Sequence, residues 1–299
     1  MRKHKKLNIF FLVLSSVLLL LIAIALVGFF SGYEIHRDVR YGEKDANIMD
    51  VYIPKEAYQR ENNGCILFIH GGSWSGGDKK DETVRCRMLA SQGYIVVNVN
   101  YTLWSEKNAE TYHVLQILDE LDAALLQAQA FAAKRGIVID KAATVGYSAG
   151  AHLAMLYAYS RNATSPVEIA FTASMAGPAD ISPAVWGEDM TVRIVRLLTG
   201  TEITADALRS GNADEILASV SPVSFIDQNA PPTLMMQGGA DTVVPPKNAD
   251  SLAEKCKANA IPYDYIYLKN SDHSLLQNPI QHVKFYGLLF DYCEHFFGE

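Results

Sequence analysis

Ser148 stands at the centre of Gly146-Tyr147-Ser148-Ala149-Gly150. A serine hydroxyl is a weak nucleophile at neutral pH. It needs a base to take its proton and a third group to fix the base's tautomer. Asp241, in Gly239-Ala240-Asp241-Thr242-Val243-Val244-Pro245, and His273, in Asn270-Ser271-Asp272-His273-Ser274, can supply those roles. The order nucleophile, acid, base suits a serine carried on a tight strand-to-helix turn. Asp227 and Asp272 are the rivals for the acid. Asp227 precedes a strand rather than following it, and Asp272 is too close to His273 in sequence to orient its ring. Acyl transfer also needs N–H donors aimed at a developing oxyanion. The N–H of Ala149 is one candidate. The run His70-Gly71-Gly72-Ser73 offers those of Gly72 and Ser73. Ser73 occupies a position where a third glycine is usual, which costs nothing if its φ is negative. His70 reads as the residue holding that loop, and Trp74 and Tyr147 as walls of a substrate pocket.

These groups act together only if the fold brings them to one place. A Gly-x-Ser-x-Gly turn requires a strand before it and a helix after it. Ala142 to Val145 is a short apolar run, and Ala151 to Tyr159 has helical spacing. Cys65 to Ile69 and Tyr94 to Asn100 are continuous apolar runs of the kind buried on both faces of a sheet. Glu168 to Ser174, Thr233 to Gln237 and Tyr263 to Leu268 read as further strands, and Tyr33 to Tyr41 with Asn47 to Ile53 as a hairpin. Helices are expected over Asp78 to Ser91, about Thr111 to Arg135, Lys247 to Ala258 and Val283 to Phe297. Strand and helix alternate, which predicts a mostly parallel sheet. Asp241 and His273 each follow a predicted strand directly, as Ser148 does. Residues 177–221 interrupt the alternation with Trp186, an amphipathic stretch Thr191 to Leu198, and one or two helices over Ala205 to Leu217. An insertion at that point reads as a small helical cap.

Composition limits the alternatives. With 49% hydrophobic and 20% charged residues, the 299-residue chain can bury a large core. Its net charge of −7 and the lack of a basic stripe after residue 40 argue against a nucleic-acid partner. Residues 1–6 hold Arg2, Lys3, Lys5 and Lys6. Residues 7–30 are almost wholly apolar and long enough to cross a hydrocarbon core of about 30 Å as a helix. The basic flank places the amino terminus in the cytoplasm and residues 31–299 outside it. A single-pass signal-anchor in the cell membrane is therefore expected. The alternative is secretion after cleavage at a small-x-small site such as Ala23-Ile24-Ala25. Cys65, Cys86, Cys256 and Cys293 show no C-x-x-C spacing and read as buried thiols. His4, His36, His113, His152, His282 and His295 show no metal-ligand spacing, so neither metal nor other cofactor is expected. His152, one turn into the helix after Ser148, reads as a packed side chain.

From about Asp38 onward the sequence resembles the α/β-hydrolase superfamily, and within it the carboxylesterases related to hormone-sensitive lipase and to bacterial feruloyl-esterase-like enzymes. The carrying motifs are His70-Gly71-Gly72-Ser73-Trp74, Gly146-Tyr147-Ser148-Ala149-Gly150, Gly239 to Pro245 and the loop of His273. The resemblance implies an α/β-hydrolase fold: a mostly parallel sheet of about eight strands, helices on both faces and a small helical cap, here preceded by the one transmembrane helix expected from residues 7–30. It also implies hydrolysis of a carboxylic ester through an acyl-enzyme, and the expected export points to a small-molecule or carbohydrate-linked ester as substrate. Two positions depart from the pattern. Tyr147 stands where Asp, Glu or His is frequent. Asn100-Tyr101-Thr102-Leu103 stands where relatives often carry Asp-Tyr-Arg-Leu, so a loop ion pair is expected to be missing. A prolyl-oligopeptidase-like exopeptidase and a non-catalytic binding domain share the fold and are the alternative readings.

Overall fold

The computed structural model describes residues 32–298. The expected basic segment 1–6 and membrane span 7–30 lie outside them. Among the described residues no helix is long and apolar enough to cross a membrane.

Eight strands form one sheet: β1 (Tyr33–Arg40), β2 (Ile48–Pro54), β3 (Asn63–Ile69), β4 (Ile95–Val99), β5 (Ile139–Tyr147), β6 (Glu168–Met175), β7 (Thr233–Gly238) and β8 (Tyr263–Leu268). Their spatial order is β1-β2-β4-β3-β5-β6-β7-β8. β1 and β2 pair antiparallel, as do β2 and β4, and the remaining pairs are parallel. The apolar runs explain the centre. In β3, Leu67 and Ile69 face one core while Ile66 and Phe68 face the other. All four are fully buried. Each such side chain contributes about 1.5–3 kcal/mol relative to exposure. A strand buried on both faces must be sandwiched between helices.

One face is covered by α1 (Thr83–Ser91) and α9 (Pro279–Phe297), through Cys86, Leu89, Phe285, Leu289 and Cys293. The other is covered by α2 (Val114–Ala133), α3 (Ala149–Ser160) and α8 (Lys247–Ala258). Between β6 and β7 the chain forms four helices: α4 (Pro183–Trp186), α5 (Glu188–Thr199), α6 (Ala205–Ser210) and α7 (Asp214–Val220). All four cysteines are buried, and none of them forms a disulfide among the described residues.

Helix boundaries differ from the periodicity where polar side chains set them. The segment after Asp78 begins as a 3-10 turn, Lys79–Glu82, because Asp78 and Asp81 form a reciprocal cap. α2 starts at Val114 rather than Thr111, since the His113 ring accepts from the Leu115 N–H. α6 and α7 separate at Gly211, whose φ is +77°. α9 begins four residues before Val283, with Pro279 in its first turn and Asn278 accepting from the Gln281 N–H. Those first residues include Ile280, which is exposed and so lies off the buried face of the helix.

The segment that leads away from β3 is pinned at Lys79. Its ammonium lies 2.6 Å from Asp50 and 2.8 Å from Asp38. Lys79 and Asp50 are both fully buried. Removing one partner of such a pair typically costs about 3–5 kcal/mol, because the other charge is left buried. The Lys79 backbone is also held from both sides. Its N–H donates to the Asn100 side chain at 2.6 Å, and its carbonyl accepts from Asn98 Nδ2 at 2.6 Å. Asn100 further donates to Asp78 at 3.1 Å. Thr102 donates its N–H and hydroxyl to Glu120 at 2.8 and 2.6 Å. Charge-assisted hydrogen bonds from Asn100 to Asp78 and from Thr102 to Glu120 thus fasten the loop where the sequence leads one to expect a missing ion pair.

Candidate active site

β5 ends and α3 begins on either side of Ser148, so that residue must turn the chain alone. Its backbone is at φ +55°, ψ −122°, outside the comfortable regions for a residue with a Cβ. The surroundings over-determine this conformation. Ser148 N–H donates to the Met175 carbonyl at 2.8 Å, and its carbonyl accepts from the His152 N–H at 3.1 Å. Gly146 and Gly150 allow the turn. A Cβ on Gly146 would meet Gly150 backbone at 2.3 Å, and one on Gly150 would meet the Ile69 carbonyl oxygen at 2.0 Å. Strand β3, the elbow and α3 therefore touch through backbone alone.

The structure brings the three residues of the candidate triad together. His273 Nε2 lies 2.9 Å from Ser148 Oγ, and His273 Nδ1 lies 2.8 Å from Asp241 Oδ2. An ionised carboxylate only accepts, so Nδ1 carries the proton and Nε2 is free to accept from the serine hydroxyl. Asp241 is buried, and burial opposes its ionisation. The His273 hydrogen bond and the Val244 and Val243 N–H groups outweigh that penalty and hold its carboxyl below the usual range. Gln237 Nε2 donates to Oδ2 at 3.0 Å as well. Asp227 instead accepts from Asn229 N–H at 2.8 Å. Asp272 is exposed and accepts from the Ser274 N–H and hydroxyl at 2.9 and 2.7 Å, which shapes the His273 loop.

On the oxyanion side, Gly72 has φ +122°, and a Cβ there would meet the Gly76 carbonyl oxygen at 2.1 Å. Its own carbonyl accepts from the Ser75 and Gly76 N–H groups at 3.1 and 2.9 Å. Among the described residues the N–H groups of Gly72 and Ser73 make no hydrogen bond within the protein. The condition that would let Ser73 replace glycine without cost, a negative φ, is not met. Ser73 and Trp74 lie at φ +53° and +59°. The turn closes within four residues, and that leaves no room for a gradual reversal. Two successive left-handed residues cost about 1–2 kcal/mol each.

A buried histidine helps to hold this strained loop. The Trp74 indole N–H donates to His152 Nδ1 at 3.1 Å, and the two rings meet edge to face with centroids 5.2 Å apart. His152 Nε2 donates to the Val220 carbonyl at 2.8 Å. His152 thus joins the loop, the elbow helix and the end of α7. On the other side His70 stacks on Tyr101, with centroids 4.5 Å apart, and its Nδ1 donates to the Gly71 carbonyl at 2.7 Å. Tyr101 returns a hydrogen bond to the His70 carbonyl at 3.0 Å. The sequence marks His152 only as a packed residue. Its partner Trp74 is 78 positions away, so no local signal could reveal the lock.

A cavity of about 330 Å³ opens at Ser148. Trp74 and Ser73 line one part, Trp186, Met190, Ile194 and Leu197 from α4 and α5 another, and Thr242 to Val244 a third. Trp74 is therefore both wall and anchor, and it is almost fully buried rather than exposed. Tyr147 does not line the cavity. Its hydroxyl donates to the His273 carbonyl at 2.8 Å and its ring packs on the imidazole at 5.3 Å, so it holds the His273 ring in place. The Arg85 guanidinium covers its ring at 5.4 Å. Side chains on a strand alternate between faces, and Tyr147 falls on the face away from the cavity, toward α1 and α9.

A family model described as BD-FAE matches residues 49–256. The esterase LipC of Mycobacterium tuberculosis is 25% identical over 253 residues, covering 81% of this chain and 60% of that protein. The chain spans about 55–60% of the length of the curated relatives it matches first. Among solved structures, a truncated carbohydrate esterase from gut microbiota superposes with a TM-score of 0.72 at 17% identity, over 88% of this chain and 97% of that one. Esterase B from Lactobacillus rhamnosis, inhibited by a tributyrin phosphonate, gives 0.69 at 19% identity over 93% and 94%. These likenesses agree with the α/β-hydrolase topology described above.

The His152 lock has a pH signature. Burial pushes its pKa from the ordinary 6.5 to about 4, against the opposing hydrogen bond to Val220. Between those values the unfolded chain binds a proton that the folded chain refuses. Stability from this group is complete above the ordinary value and is lost as pH falls toward about 4. His152→Gln keeps a donor for Val220 and an acceptor for Trp74 but cannot titrate. Denaturant unfolding at pH 7 and pH 5 should show wild type losing about 2 kcal/mol more than this variant. Equal losses would contradict the assignment.

Proposed function

The chain belongs to the BD-FAE family of the α/β-hydrolase superfamily, and from that premise we propose that it is a serine carboxylic-ester hydrolase working through an acyl-enzyme. The observation that carries this reading is the pair of contacts at His273, 2.9 Å to Ser148 and 2.8 Å to Asp241. Ser148 Oγ attacks the ester carbonyl carbon and passes its proton to His273 Nε2. The N–H groups of Gly72, Ser73 and Ala149 receive the oxyanion. Collapse expels the alcohol, which takes the proton back from His273. Water then attacks the acyl-enzyme with His273 again as base, and the acid leaves. Asp241 keeps the proton on Nδ1 and offsets the charge of the imidazolium. No step requires a cofactor.

The substrate reading is a small or carbohydrate-linked acyl ester. A cavity of about 330 Å³ walled by Trp74 and Trp186 suits a compact acyl group. The likeness to a carbohydrate esterase favours a sugar-borne one. Residues 177–221 serve as a cap over the site. Replacing Ser148 with Ala should lower kcat for p-nitrophenyl acetate by at least about 10⁴-fold. A fluorophosphonate probe should label the wild type and not this variant. Retained turnover would remove Ser148 from the mechanism.

The site works outside the cytoplasm in this reading, on a single-pass anchor formed by residues 7–30, or free after cleavage. The support is the basic cluster at residues 1–6 and the almost wholly apolar run that follows. Protease added to cells whose outer barrier has been opened, with the cytoplasmic membrane intact, should digest the hydrolase domain. Full protection until that membrane is lysed would overturn this placement.

A further inference from the structure

Three arginines lie in the helices between β6 and β7. Arg196 pairs with Glu202 at 3.4 Å, and Arg209 pairs with Glu188 and Asp206 at 2.6 and 2.7 Å. Arg193, exposed on α5, makes no hydrogen bond or ion pair among the described residues. Its position is unusual in a second way. Arg193 lines the cavity at Ser148 and is the one charged residue among those that line it. It also lines the two cavities that adjoin the first. One, of about 500 Å³, includes Trp104, Glu106 and Arg196. The other, of about 490 Å³, includes Trp186, Glu188 and Asp189. A molecule whose ester carbonyl reaches Ser148 and which extends toward either of those two cavities passes this side chain.

The neighbouring walls are apolar: Trp186, Met190, Ile194 and Leu197. An apolar wall excludes water from one side of a guanidinium, so its charge is less screened than on an open surface. The fork of N–H donors matches a carboxylate bidentately, which a lysine or an uncharged side chain cannot reproduce. Beside Arg193, one outer cavity holds Glu106 with Arg196 and the other holds Glu188 and Asp189, so these neighbours give the wider region no net long-range pull on anions. Selection would therefore act on a group held against Arg193 itself.

We propose that Arg193 is a specificity-determining residue that binds an anionic group, in the first instance a carboxylate, carried by the ester substrate. This rests on the hydrolase reading above and adds the substrate class to it. The anion can sit on the acyl or on the alcohol portion, and the same guanidinium serves either.

The test compares matched ester pairs. Mono-p-nitrophenyl glutarate against p-nitrophenyl valerate places the charge on the acyl side. 3-Acetoxybenzoate against 3-acetoxybenzamide places it on the alcohol side. Wild type should favour the anionic member of one pair by about tenfold in kcat/KM, chiefly through KM, and that pair locates the anion. The preference should shrink with added salt. Arg193→Gln should remove the preference, Arg193→Glu should invert it, and Arg193→Lys should restore part of it. Because each effect is a ratio within one enzyme, loss of folded protein cannot mimic it. Turnover of the neutral esters without an anionic preference, or a preference that survives Arg193→Glu, overturns the role of Arg193 and leaves the hydrolase standing. No turnover of any of the four esters overturns both.

Discussion

The imidazole of His273 holds two hydrogen bonds at once, 2.9 Å to Ser148 and 2.8 Å to Asp241. Each end comes from a different part of the sheet. Ser148 follows the central strand β5, Asp241 follows β7, and His273 follows β8 at the edge. The two distances survive only if those strand ends stay in register and if three loops keep their shapes. Much of the described fold can be read as the apparatus that meets this condition. The Ser148 turn is strained and is held by Met175 and His152. The Asp241 carboxylate is fixed by Gln237, Val243 and Val244. The His273 loop is fastened to Tyr147 from below and shaped by Asp272 at its exposed side.

The loop of Gly72 and Ser73, the candidate oxyanion loop, faces a harder version of the same problem. It carries two left-handed residues that are not glycine, Ser73 and Trp74, so its conformation is not its own preference. Tertiary contacts outweigh that preference at two points. Lys79, paired with Asp38 and Asp50, fixes the exit, and the Trp74–His152 hydrogen bond fixes the middle. Strain of this kind is expected where donors must be aimed before substrate arrives, because reorganisation during the reaction would otherwise raise the barrier. In the proposed mechanism the N–H groups of Gly72 and Ser73, which make no hydrogen bond among the described residues, are what that strain keeps in place.

How much of this could be read from the sequence follows from how local each signal is. The strands β3, β4 and β5 were legible because burial on both faces leaves uninterrupted apolar runs. The Ser148 turn was legible because a strand-to-helix turn without room for Cβ atoms forces glycine at fixed offsets, and Gly146 and Gly150 are those glycines. Asp241 and His273 could be picked out because each directly follows a strand. The positive φ of Ser73 could not be read, since it depends on how the loop closes against Gly76. Tyr147 was assigned to the pocket because it adjoins Ser148, but strand alternation turns it to the opposite face. The isolation of Arg193 was equally hidden. Its helix pattern resembles that of Arg196, and only the packed structure separates the paired arginine from the unpaired one.

The central claim is that the hydroxyl of Ser148 carries the acyl group between the two halves of the reaction. Rapid quenching during turnover of a slowly deacylating ester, followed by peptide mapping by mass spectrometry, tests it directly. The account predicts one acyl group per chain, on the peptide that contains Ser148, appearing with the first burst of released alcohol and disappearing as substrate is exhausted. Turnover with no such adduct, or an adduct on any other residue, would contradict it.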